Sequence, residues 1–364
     1  MNILTIIILV FSVADMADKL LGNKLGLGRE FERGFSIFAP MVFSMFGILV
    51  LSPAIGVWLT PFFDWFYSAF KIDPSVIPAS LLANDMGGMT LSEAICKTES
   101  IGNFNAFVVS SMLGCTVSFT IPFAFSTVKK EQHRELFFGI LCGITTVPIG
   151  CFAAGLVCGI GIAELLVTLL PLVIFSAVLG VLLVLFTNVC IKVFVAFGHV
   201  IRWVSMLGLG CAIFTFLTKI EISPHFGSFE NAALICANAC VTLSGTLPLM
   251  FIVSKLLDKP LNKAGNKLGL DPLSAFSFLS TLVTNVTTFI YMEKMNKKGV
   301  VLNSAFAVSG AFVFGGHLAL TMAFNPDYVL PMIVGKIISG IAAVALAALI
   351  YKDAPQKAAD PANR

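Results

Sequence analysis

The sequence predicts an all-α polytopic membrane protein, with roughly nine crossings, two re-entrant hairpins and an inverted-topology repeat. Three observations predict it. The 364-residue chain is 57% hydrophobic and 12% charged, whereas a soluble domain is about 45–50% apolar and about 25% charged. Apolar stretches long enough for transmembrane helices recur along nearly its whole length. Landmarks also return at one spacing: Phe31-Glu32 as Phe229-Glu230 and Asp73-Pro74 as Asp271-Pro272, while NAFVVSS (105–111) returns as SAFAVSG (304–310).

The first apolar segment, 3–21, lacks a basic leading region and a small-residue cleavage site, so it reads as a retained span. Asp15 and Asp18, beside Lys19 at its end, read as interfacial. Further apolar segments fall near 32–62, 74–96, 104–127, 136–158, 165–188, 191–218, 229–256, 273–292, 301–323 and 328–351. The repeated landmarks divide them into two homologous halves, 1–160 and 190–351, around a joining span in 161–189. A polar tail, 352–364, follows.

Loop charge then decides which segments cross. Lys and Arg cluster at 19–33, 129–134, 255–267 and 294–298, and positive loops belong in the cytoplasm. Eleven simple crossings would put the first two clusters on opposite sides. If 74–96 and 273–292 instead enter and leave on one side, every basic cluster falls inside. The N-terminus then lies outside and the C-terminus in the cytoplasm. The joining span inverts the second half, a plan common among secondary transporters.

Composition also excludes whole classes of function. A net charge of +3 gives no electrostatic footprint for nucleic acid. The nine cysteines mostly sit inside apolar runs and form no C-x-x-C pair, so they read as packing residues. The four histidines are scattered without metal-ligand spacing. No nucleophile–base pair or cofactor fingerprint stands out, so the chain reads as a non-enzyme without metal or cofactor.

One stretch carries the chemistry. SLLANDMGGM (80–89) sets Asn84 and Asp85 before Gly87 and Gly88 in an apolar segment. An ionised Asp at mid-membrane costs at least about 2.5–3.5 kcal/mol, so water or a partner must solvate it. Two glycines let the backbone turn, and unwound backbone at membrane depth lines a cavity or is buried in protein. The stretch therefore reads as a hairpin tip. Its repeat-equivalent is STLVTNVTTF (280–289), with Thr281, Thr284, Asn285, Thr288 and Phe289. One carboxylate facing amides and hydroxyls suits a small hydroxylated cation, and Phe289 adds an aromatic face. In AFVFGGHLAL (311–320), Gly315 and Gly316 read as a hinge beside His317. Lys336 reads either as a counter-charge for Asp85 or as a snorkelling lysine.

Together SLLANDMGGM (80–89), TTVPIGC (145–151), NSAFAVSGAF (303–312), GGHLAL (315–320) and PMIVGKIISG (331–340) resemble the ethanolamine permease family of bacterial ethanolamine utilisation, EutH. Members of that family often carry an Asp before the histidine in span ten, where this chain has Gly316. The resemblance implies a bacterial cytoplasmic (inner) membrane protein that admits ethanolamine, the substrate of ethanolamine ammonia-lyase. Residues and resemblance together lead us to expect uptake of protonated ethanolamine by facilitated diffusion with alternating access. The expected partners are ethanolamine and the lipid bilayer, with room for a homo-oligomer and none for nucleic acid. The alternative is an ion-coupled transporter of another small polar substrate, such as a nucleoside or another amine.

Overall fold

A computed structural model describes residues 3–351; the expected polar tail, 352–364, lies outside the described residues. These fold into helices without a strand among them. We number them α1 (Ile3–Leu20), α2 (Leu27–Phe70), α3 (Val76–Leu81), α4 (Gly88–Ile95), α5 (Glu99–Thr127), α6 (Lys130–Val157), α7 (Ile162–Leu185), α8 (Thr187–Thr218), α9 (Phe229–Lys267), α10 (Pro272–Val283), α11 (Asn285–Tyr291), α12 (Lys297–Gly310), α13 (Gly316–Phe324) and α14 (Pro326–Ile350).

Seven of these, α2, α5 to α9 and α14, are long and apolar enough to cross a membrane. Two expected crossings fall outside that set for physical reasons. α1 has 18 residues and carries Asp15, Asp18 and Lys19 among them. The expected tenth segment is cut at 311–315 into α12 and α13.

α5 is the inner column of the molecule: 83% of its apolar window is buried, against 22% for α8. Its middle is π-helical over Asn105–Gly114 and again over Thr116–Thr120, a rare geometry that gathers at functional sites. α6 packs against α12 and α14 through small residues. A side chain added at Gly139 would strike the Val301 carbonyl, and one at Gly150 the Gly335 carbonyl, the close approach on which packing in membranes depends. α7 and α8 turn large side chains outward, among them Leu166, Ile174, Trp203 and Leu207.

The two interrupted segments are each closed at their base by an aspartate. Asp73 Oδ2 accepts the Lys97 and Thr98 backbone N–H groups at 2.9 Å each, so the start of α3 lies beside the end of α4. Asp271 Oδ2 accepts the Asn296 N–H at 2.9 Å, which ties the start of α10 to the start of α12. The likeness extends outward. Lys71 and Gly269 both take the left-handed conformation two residues before their aspartate. Asn105 Nδ2 donates to Ser75 Oγ at 2.8 Å, and Asn303 Nδ2 to the Ser274 carbonyl at 2.9 Å.

The basic loops gather at one end. Lys129 pairs with Glu293 at 2.8 Å, Gln132 Nε2 donates to the Met292 carbonyl, and Asn296 Nδ2 donates to the Gly269 carbonyl. Glu30 and Arg33 share a cavity of about 320 Å³ with Ser254, Leu273 and Tyr291. Asp64, Asp73, Lys97 and Glu99 mark the other end of α5, where Lys97 and Asp64 pair at 2.5 Å.

Asp15 and Asp18 differ from the interfacial reading. Asp18 is buried and takes the backbone N–H groups of Leu25, Leu27 and Gly28. Asp15 is fully buried, and neither of its carboxylate oxygens has a hydrogen-bond partner among the described residues. Helix α2 folding back over the end of α1 covers them.

Candidate functional site

The first tip forms because α3 stops at Leu81 and the chain extends through Leu82 and Ala83 before one 3-10 turn at Asn84–Met86. Gly87 then takes φ 95°, and a side chain at Gly88 would run into the Leu82 carbonyl. Both glycines are therefore required by the turn. The Asn84 amide is buried. Its Oδ1 accepts the Asp85 N–H at 2.9 Å, while its Nδ2 has no partner among the described residues. The Asp85 side chain is partly exposed and accepts no hydrogen bond from another described residue.

The second tip forms where α10 ends at Val283. Thr284 is extended, and its side chain caps α11 through the Val286 N–H at 3.3 Å. Asn285 is fully buried, donates Nδ2 to Thr120 Oγ1 at 3.1 Å, and leaves Oδ1 unpartnered among the described residues. The first tip uses the same stretch of α5, because Ser118 Oγ accepts the Ala83 N–H at 2.9 Å. Both tips are thus anchored to α5 within two residues of each other.

The break between α12 and α13 completes the enclosure. Phe312 and Phe314 donate their N–H groups to the Thr281 and Leu282 carbonyls at 3.1 and 2.8 Å. Phe312 holds φ 63°, a conformation that a bulky residue adopts only when its surroundings impose it. This places the Phe312 ring 5.0 Å from the His317 ring. His317 and Lys336 are both 1% exposed. Lys336 Nζ lies 3.1 Å from His317 Nδ1 and donates to the Ser111 carbonyl at 2.5 Å. Asp85 and Lys336 attract one another electrostatically, yet they form no ion-pair contact within 4.0 Å.

Comparison with known proteins identifies the family. The profile of the family described as "Ethanolamine utilisation protein, EutH" matches residues 1–350. The chain belongs to the EutH family. This EutH chain is 36% identical to the "Probable ethanolamine permease EutH" of Listeria monocytogenes serotype 1/2a (strain 10403S), over 95% of its own length and 92% of the relative's. It is 30% identical to the protein of the same name in Escherichia coli (strain K12), over 89% and 86% of the two chains. It is 34% identical to YxeR of Bacillus subtilis (strain 168), over 94% and 92%. No solved structure gives a significant match. With its seven apolar helices, the EutH chain is a multi-pass membrane protein.

Among the residues expected at the EutH site, the fold gathers Asn84, Asp85, Asn285, His317 and Lys336 around α5. It uses three others internally. Thr281 and Thr288 bond one another at 2.8 Å, and Thr288 also donates to the Ser277 carbonyl. Phe289 is buried against Phe123. Thr284 instead lines the cavity that Glu30 and Arg33 share, with Ser280 and Thr287. Ser111, Ser118 and Thr120 were not singled out by sequence reasoning. The available signal was the density of small polar residues in an apolar span: Ser110, Ser111, Thr116, Ser118 and Thr120 are all buried.

Proposed function

We propose that this protein is a carrier for ethanolamine across the bacterial cytoplasmic membrane, working by facilitated diffusion with alternating access. The single observation that carries the reading is the meeting of the two tips on α5. An acid with no hydrogen bond from another described residue, Asp85, sits on one tip, and an amide with a spare acceptor, Asn285, on the other. Asp85 binds the ammonium by a charge-assisted hydrogen bond. Asn84 and Asn285 each hold one unpartnered buried polar atom, a donor and an acceptor respectively, and these suit the hydroxyl. The names of the relatives point to the same substrate.

The aspartate-tied segments act as re-entrant hairpins in an inverted repeat of nine crossings. Asp73 and Asp271 stand in corresponding places, and the basic loops gather at the Asp271 end, which we take as cytoplasmic. The cavity below the second tip is then the cytoplasmic vestibule.

The test is ethanolamine uptake into proteoliposomes, with choline and a neutral alcohol as competitors. Wild-type uptake should saturate, and Asp85→Asn should abolish it while leaving a folded protein by size-exclusion chromatography. Undiminished uptake by Asp85→Asn removes the carboxylate from the site.

A further inference from the structure

The centre, a partly exposed Asp85 with the buried Lys336 and His317 behind it, holds more charge than binding one cation requires. Asp85 supplies one negative charge and Lys336 one positive charge, so the empty site is close to neutral. The Lys336 hydrogen bond to His317 Nδ1 makes that ring nitrogen an acceptor, which places the ring proton on Nε2 and leaves the imidazole uncharged. An ethanolammonium ion arriving at Asp85 then adds a positive charge that nothing in the site balances. An uncompensated charge is expensive beside groups as buried as Lys336 and His317, where the low dielectric strengthens repulsion between two ammonium groups.

The groups facing Lys336 allow one release. The titratable ones are His317 on α13, Cys115 on α5, Cys151 on α6 and Asp85 at the first tip. α12 meets α14 nearby through Ser309 and Ser339, with Lys297 and Lys298 at its other end. Asp327 and Tyr328 lie at the start of α14 itself. Of these groups, only His317 touches the ammonium as a neutral acceptor. A neutral Lys336 amine still has a hydrogen to donate to the Ser111 carbonyl, so losing a proton strands no buried acceptor.

Resting on the ethanolamine reading above, we propose that Lys336 gives up one proton each time an ethanolammonium ion binds Asp85. The proton passes first to His317 and leaves to the side from which the substrate came. After the substrate departs on the other side, Lys336 regains a proton there. Each cycle moves one ethanolammonium inward and one proton outward, so no net charge crosses, and at equal pH on both sides the net result is facilitated diffusion of the amine. The transported equivalent is the uncharged amine, and uptake is blind to membrane potential.

The experiment uses the full chain in proteoliposomes, with a tenfold K⁺ gradient clamped by valinomycin and matched pH on both sides. Wild-type protein should bring labelled ethanolamine to the same final level whichever way the gradient points. A lumen made acid should accumulate it. Lys336→Gln, which keeps a donor for Ser111 but has no proton to release, should respond to an inside-negative potential and approach about tenfold accumulation. Lys336→Arg holds its proton permanently and should slow uptake by about tenfold or more. Wild-type accumulation that follows the K⁺ gradient overturns the exchange while leaving the carrier intact, as does a Lys336→Gln variant still blind to potential. Absence of wild-type uptake under every gradient overturns the ethanolamine reading, and the exchange with it.

Discussion

At the scale of single residues, two neighbouring glycines make opposite predictions. Gly315 lies against the Val283 carbonyl, where a side chain would collide with backbone that cannot move aside. Gly316 begins α13 with nothing within 4 Å of where its side chain would project. Gly315→Ala should therefore cost about 1–3 kcal/mol, the usual range for overpacking. Gly316→Ala should leave stability unchanged or slightly raised, because alanine favours the helix. Thermal unfolding in detergent checks both, and equal midpoints for the two variants would contradict the packing described at the break.

At the scale of elements, the aspartate ties hold the base of each interrupted segment together. Burial alone would raise the Asp271 carboxyl, but N–H donors from Asn296 and Ser274 and the Ser274 hydroxyl hold it below its ordinary value of 3.8. The folded state thus favours the ionised form. That contribution is fully present above the unfolded value and is lost as pH falls through the lower folded one. Asp271→Asn should unfold at a lower temperature than wild type at pH 7, and the difference should shrink in acid well below pH 3.8. A difference that persists there would mean that the carboxylate charge contributes nothing to the tie. The Lys129–Glu293 pair near the same end raises Lys129 and lowers Glu293 through their mutual hydrogen bond and charge. Both side chains are well exposed, so salt screens the pair and it contributes little.

At the scale of the molecule, the ends of α5 define two faces. Cysteines placed at Lys71 and Lys97 should react with an impermeant thiol reagent from outside intact cells, and cysteines at Lys130 and Lys297 only after permeabilisation. Lys71 and Lys97 labelling from opposite sides would break the hairpin arrangement. The all-helical, multi-pass character was legible beforehand, because apolar length reports directly on the bilayer. The tips were legible too, since Asp85, Gly87 and Gly88 are improbable in an ordinary span. The π-helical turns of α5 were not, because NAFVVSSMLG (105–114) has the composition of any buried helix and its geometry is set by what packs around it. Nor was the Lys336–His317 contact, which joins separate helices through the break at 311–315. Burial of Asp15 escaped for the same reason: α2 folds back over α1, and no local pattern announces that.

The pinning of both tips to Ser118 and Thr120 has a bearing on energy conservation in the cell. Two tips that share one post do not move freely of each other, since a shift of α5 that loosens one anchor drags on the other. On the carrier reading proposed above, a pathway open to both sides at once would let protons and sodium run down through the protein. On that reading the shared post makes the short circuit the hardest state to reach, so a cell could keep the protein in its membrane without discharging its gradients.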